Sequence, residues 1–395
     1  MLINRQGATD AKAEEDCSRR ATTYKSKGIE MNPINDETRR FLKGFLTLLI
    51  LLVTLACFGA ANELPFSETF EFRAYGPLDQ QNGWTVVPPE AAGVQSGITT
   101  GVSSLRACSL HAGSMSQGFA SAPAAPRIVW LDLYVRSHTS ESEGSVTEET
   151  SPSPFAESET TALVCIDGVT GSVMVYDGKD SLTLTNHPPL LPDTWARLTV
   201  RSDYTDHTWD LWLNGVNIAR NLGFYNPEQT YLSELALTEH SSDESEVSFF
   251  DDIRMSLGWA GRPAGIPFID DDGDGICDDW ERHFFNSLTV ASAEGTDYDE
   301  NGFSDRDEFL AGTDPMDSQS RLVISELVHL GEGRFEVSWQ SAANRTYTLL
   351  YKTDIAQTAW TPLETGIPST PPKNQRILEP GVSSGFYRIQ VEPFE

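Results

Sequence analysis

The chain has 395 residues, 58 of them acidic and 28 basic, for a formal charge of −30. A surface this acidic repels phosphate backbones and anionic lipid, which argues against nucleic acid as a partner and leaves cations and sugars as the natural ones. With 39% hydrophobic and 10% aromatic residues, the length is enough for two or three domains with their own cores.

Residues 1–40 form a polar extension without an apolar period, and Met31 offers an alternative start. The segment 41–61 follows. Arg39, Arg40 and Lys43 flank an unbroken apolar run from Phe45 to Ala61, and Gly59 and Ala61 fit the small positions of a cleavage site. That order is the grammar of a secretory signal. The run is also about long enough for a membrane anchor, at roughly 17 residues. Under either reading the chain after Asn62 lies outside the cytoplasm, in a secreted, periplasmic or cell-surface protein that meets a membrane only through this segment. Beyond it lie Cys108, Cys165 and Cys277. Cys108 and Cys165 could pair in an oxidising compartment, leaving an odd thiol, and no zinc spacing is present.

Residues 62–258 read as strands broken by turns. "IVWLDLYVR" (128–136), "SVMVYDG" (172–178), "WARLTVRSD" (195–203), "WDLWLNGVNIA" (209–219) and "VSFFDDIRM" (247–255) alternate apolar with polar residues. Asn214-Gly215 is a two-residue hairpin turn. The expected fold is an antiparallel sandwich. The stretch 137–161, rich in Ser, Thr, Glu and Pro, reads as a mobile acidic loop between strands.

The phrases "FSETFEFRAYGPLDQQNGWTV", "TWDLWLNG" and "FFDDIRM" resemble a bacterial concanavalin A-like (LamG-type) jelly roll. The resemblance covers about half the chain and implies binding of sugars or proteins, or glycan hydrolysis. Retaining glycanases on this fold carry Glu-x-Asp-x-x-Glu or Glu-x-Asp-x-Glu along one strand, so that two carboxylates share a cleft. No strand here does, and the seven histidines sit in no nucleophile arrangement. No catalytic residue is therefore expected. Trp84, Trp130, Trp195, Trp209 and Trp212 are candidates for a sugar-stacking platform, although core packing is the simpler role. Trp209 and Trp212 differ by an odd number and must face opposite sides of their strand. Asp251 and Asp252 either touch a metal or cap a sheet edge.

Two segments match the calcium-loop pattern D-x-[DN]-x-[DN]-G-x5-E without departure. The first is "DDDGDGICDDWE", with Asp270, Asp272, Asp274 and Gly275 leading to Glu281. The second is "DYDENGFSDRDE", with Asp297, Asp299, Asn301 and Gly302 leading to Glu308. Side chains one, three and five would supply oxygens, and Ile276 and Phe303 a backbone carbonyl. Asp278 and Asp305 would act through water, and each Glu through both oxygens. The site calls for two Ca2+ ions.

"GWAGRPAGIPFI" cannot form a helix ahead of the first loop, because of its Pro and Gly. A helix is expected after it, with Trp280, Phe284 and Leu288 on one face, and a short one in "DRDEFLAG", stopped by Gly312. The unit 266–318, loop then helix twice, resembles the dockerin or thrombospondin type 3 calcium repeat pair. That resemblance implies calcium-dependent folding of a spacer, or docking of a protein partner. From 322 to 395 strands return ("FEVSWQ", "TYTLLYKT", "GFYRIQVE"). This part resembles a small fibronectin-like sandwich whose core would hold Trp339, Tyr347, Trp360 and Tyr387.

The expected whole is mainly β: a jelly-roll sandwich, a loop-helix calcium repeat pair and a second small β-sandwich. It reads as an exported, non-catalytic binder of a glycan or surface ligand at the cell envelope. The alternatives are a scaffold that docks a partner through its calcium repeats, and a degenerate glycoside hydrolase.

Overall fold

The computed structural model describes residues 63–98, 100, 105–119, 128–137, 161–168, 170–191, 193–239, 247–292, 295–378 and 385–392. The extension 1–40, the segment 41–61 and nearly all of the acidic loop 137–161 lie outside the described residues. Among those described, no helix is long and apolar enough to cross a membrane.

The protein is mostly β, in antiparallel sheets. The largest sheet runs, edge to edge, through Val216–Gly223, Thr208–Leu213, Ala196–Asp203, Ile128–Arg136, Ser248–Leu257, Arg106–Leu110, Ala92–Ser96 and Gly76–Pro77, with Phe66–Glu68 paired to Ser248–Leu257. Asn214 and Gly215 turn the hairpin between Thr208–Leu213 and Val216–Gly223 with φ of 51° and 82°, the left-handed pair that an Asn-Gly turn supplies. Two three-stranded sheets face this large one. One comprises Val164–Ile166, Val173–Tyr176 and Ser181–Thr183; the other comprises Thr85–Val87, Gly113–Gly118 and Glu234–Glu239. Val175, Met115 and Leu235 from the small sheets share one buried core with Leu198, Val200, Leu211 and Trp209 from the large one. The result is a β-sandwich.

Register decides what the outer face of the large sheet carries. Val200 pairs with Leu211 and Leu131, so these three point inward. Arg201 pairs with Asp210 and Trp130, and Thr199 with Trp212 and Asp132, so these point outward. Trp209 belongs to the inner core. Trp212 joins Trp130, Ile128 and Ile266 in a separate cluster on the outer side. That outer face is buried, covered by the chain that follows the sandwich.

Two helices lie in that chain: α1 (Asp278–Phe285) and α2 (Asp305–Ala311). They close on a small core of Ile276, Cys277, Trp280, Ala291 and Phe309. Helix α1 stops at Asn286, which takes the left-handed conformation with φ 53°. Leu288 therefore lies beyond the helix rather than on its face with Trp280 and Phe284. Gly312 ends α2 in the same way, with φ 74°.

Two further three-stranded sheets follow: Ile324–Gly331, Arg334–Gln340 and Lys373–Leu378, and Thr346–Lys352, Thr361–Pro368 and Phe386–Val391. Their core holds Trp339, Tyr347, Val337, Leu349 and Ile367, with Tyr387 packed against it. Trp360 stands outside this core. It precedes the exposed strand Thr361–Pro368 and lies beneath the Lys352 ammonium, 4.7 Å from the ring centre.

Candidate metal centre

The two acidic loops share one wiring. Position one, Asp270 or Asp297, accepts hydrogen bonds from the backbone N–H of position five, at 3.1 Å from Asp274 and 3.0 Å from Asn301. Its second oxygen accepts from the glycine N–H at position six, at 2.9 Å from Gly275 and 2.8 Å from Gly302. Position five accepts from the N–H of position seven: Ile276 to Asp274 and Phe303 to Asn301, both at 2.8 Å. Position nine accepts from the N–H of position two: Asp271 to Asp278 at 2.9 Å and Tyr298 to Asp305 at 3.0 Å. The glycines hold φ of 84° and 90°, which lets the chain turn at position six. Two segments of different sequence thus share one turn geometry, and only the first gathers three carboxylates among the described residues.

Asp270, Asp272 and Asp274 bring one oxygen apiece within 4.8 Å of one another. Glu281 stands behind them, fully buried. Neither of its carboxylate oxygens has a hydrogen-bond partner among the described residues. Burial, reinforced by Asp274, Asp272, Asp278 and Asp270, pushes its pKa up to about 8. Glu308 is buried in the same way. One of its oxygens accepts from Asn301 and Thr313, at 3.3 and 3.1 Å, and the other has no partner among the described residues. Burial pushes Glu308 up to about 7. A carboxylate buried without a partner is costly. A hard divalent cation bound by oxygen ligands removes that cost, and the donor set here, carboxylates with one amide and a backbone carbonyl, suits calcium. The residues fit the ion.

The position-seven side chains differ. Ile276 is fully buried in the core between the helices. Phe303 is half-buried and stands outside that core.

The metal pattern leaves positions two and ten free, and the first loop fills both with aspartate. These two side chains join the loop to the sandwich. Asp279, at position ten, receives a two-pronged contact from Arg201 on the strand Ala196–Asp203, with Nε–Oδ2 at 2.9 Å. The same guanidinium reaches Asp210 at 3.0 Å and Asp203 at 2.8 Å. All four groups are buried. Burial opposes the charge on Arg201, but Asp279, Asp203 and Asp210 outweigh it and raise its pKa. Asp271, at position two, pairs with Arg220 at 2.8 Å near the hydrated edge. That hydrogen bond holds Asp271 below the usual carboxylate range. In the second loop position two is Tyr298, packed on Phe285 with ring centres 5.1 Å apart and planes tilted by 52°. Position ten is Arg306, which lies over Gly275 of the first loop. The first loop is therefore bonded to the sheet and the second to the first.

The remaining candidates do not converge on a site. Trp84, Trp130, Trp209 and Trp212 are buried and Trp195 is half-buried. Asp251 and Asp252 are buried at an irregularity in Ser248–Leu257, where Asp252 takes φ 49° and pairs with Arg254. Cys108, Cys165 and Cys277 carry no disulfide among them. The residues that sequence reasoning missed are Arg201, Arg220, Asp271 and Asp279. Their signal was present: two aspartates in the first loop at positions the calcium pattern does not use, and an arginine two residues before Asp203 on one strand face.

No protein-family model matches the chain, and no curated protein matches it. Solved structures similar to it include a sialidase, at 7% identity over 50% of this chain and 19% of that one, with a TM-score of 0.34. Domain 4 of a GH43 extracellular arabinanase from Geobacillus stearothermophilus, in complex with arabinotriose, matches 50% of this chain and 93% of that one at 13% identity and a TM-score of 0.30. The carbohydrate-binding module CBM66 from Bacillus subtilis matches 45% and 97% at 8% identity and a TM-score of 0.25. The chain spans about a fifth of the sialidase. Scores this low carry no argument about function.

Proposed function

We propose that this is an exported, non-catalytic modular protein that binds two Ca2+ ions in the 266–318 repeat pair and takes a glycan at its β-sandwich. The observation that carries the calcium reading is Glu281, a buried carboxylate without a partner among the described residues, set behind three converging aspartates. Asp270, Asp272, Asp274 and Glu281 would hold the first ion with the Ile276 carbonyl; Asp297, Asp299, Asn301 and Glu308 would hold the second with the Phe303 carbonyl. Asp278 and Asp305 would orient a bound water. The ion supplies no reaction chemistry here. It neutralises carboxylates that the fold has buried and links folding to cation concentration.

Two features support a binding role over catalysis. Asp132 accepts from Arg197 and Thr199, and Asp203 and Asp210 from Arg201, so these outer-face carboxylates are occupied by cations rather than paired across a cleft. Phe72 and Tyr75, the two most exposed rings of the sandwich among the described residues, lie near one another in sequence, and Arg106 backs Tyr75 at 4.2 Å. Exposed rings of this kind suit stacking on sugar faces. The faces of the repeat pair, in turn, are used within the chain, which weighs against docking of a separate protein through α1.

A glycan array tests the ligand class. Binding that is lost in Phe72→Ala and Tyr75→Ala, with the melting curve unchanged, supports it. An array with no hit, together with turnover of a polysaccharide, would overturn it in favour of a hydrolase.

A further inference from the structure

Positions two and ten of the first loop face the sheet, not the ion. Asp279 is bonded to Arg201 and Asp271 to Arg220, while the second loop has no such anchor to the sheet among the described residues. Asp279 lies in the same helical turn as Asp278, which would act through water, and Glu281, a direct ligand in the calcium reading. Asp271 lies between the ligands Asp270 and Asp272. Any displacement of these two anchors moves the ligands beside them.

We propose that Arg201 and Arg220 are positioning residues that hold the first loop in its cation-ready shape, so that the first loop fills before the second. This rests on the calcium reading above. Without the anchors, the ion must itself fix the loop and α1, and the conformational entropy of that ordering lowers its affinity. With them, folding of the sandwich has already ordered part of the site. The reciprocal effect follows by linkage: calcium in the first loop strengthens the contact between α1 and the sheet.

The sign of one substitution separates this from simple electrostatics. Arg220 is a cation beside a cation site, and its side chain is 37% exposed, so its removal leaves the core intact. If charge alone mattered, Arg220→Ala would strengthen calcium binding, since it removes a repulsion. Positioning predicts the opposite.

The experiment is calorimetric titration of the full-length chain with CaCl2. It is done in an Asp297→Ala background, which leaves the first loop competent, and in an Asp270→Ala background, which leaves the second. Adding Arg220→Ala is expected to weaken the first loop about two- to fivefold, the range an exposed ion pair can supply, and leave the second unchanged within error. Arg220→Lys restores part of the loss. In the same samples, amide hydrogen exchange in 278–285 should accelerate with Arg220→Ala at subsaturating calcium. Unchanged or tighter binding at the first loop would overturn the proposal and leave the calcium reading standing. Absence of calcium binding in the parent chain would overturn both.

Discussion

Arg345 reaches from the C-terminal sandwich to the end of α2, donating from Nε to the Leu310 carbonyl at 2.7 Å and from Nη2 to the Phe309 carbonyl at 3.1 Å. These are carbonyls of the last helical turn, which have no partner within a helix. The arginine is buried, its guanidinium 5.9 Å from the Trp259 ring centre, and burial lowers its pKa to about 10. The repeat pair is thus gripped on both sides, by Arg201 and Arg220 from one sandwich and by Arg345 from the other. Both sets of contacts hold the repeat pair against its neighbours.

Removing that grip should be expensive. Arg345→Met removes this side-chain donor from the Phe309 and Leu310 carbonyls, and a buried group left unmet costs about 1–3 kcal/mol. Urea unfolding should show a loss of about 2 kcal/mol or more. A midpoint shift within error would mean that the contact holds nothing together.

Trp212 packs the outer sheet face against Ile266 and Trp130, with the two indole ring centres 5.5 Å apart. Trp212→Ala should therefore destabilise by about 3–5 kcal/mol, as for other large buried aromatics. A ligand-stacking role would instead give lost binding at unchanged stability. Denaturant curves with and without a bound glycan distinguish the two.

The pH dependence of the calcium-free protein has a definite sign. Glu281 and Glu308 have folded-state pKa values raised to about 8 and about 7. Between the ordinary carboxyl range and those values, the folded state binds more protons than the unfolded state, so stability falls as pH rises. Chelated protein should melt higher at pH 5 than at pH 8. With calcium the loops should keep their stability at pH 8. A chelated protein that melts higher at pH 8 would contradict the assignment.

Much of the fold is legible in the sequence because period-two alternation and turn residues are local signals. The strand Ile128–Arg136 and the hairpin at Asn214-Gly215 lie where the pattern puts them. The loops are legible because the turn itself is local: the aspartate at position one accepts from the backbone N–H of positions five and six, and glycine at six takes the left-handed conformation. Contacts across the fold are not local. That Arg201 would meet Asp279, 78 residues on, depends on which sheet face the repeat pair covers, and alternation names two faces without saying which lies beneath a neighbour. Leu288 shows the same limit at short range: helical spacing carries the pattern through Asn286, but Asn286 takes the left-handed turn and ends the helix.

The central claim is that calcium stabilises the layer between the two sandwiches. The most direct measurement is a melting curve of the full-length chain in millimolar CaCl2 and in chelator, alongside Asp270→Ala and Asp297→Ala. Calcium at a hundredfold its Kd stabilises by about 2.7 kcal/mol per site, so Tm should rise by about 5 °C or more in the parent. Each variant should lose part of that rise. Superimposable curves in calcium and chelator would contradict the account.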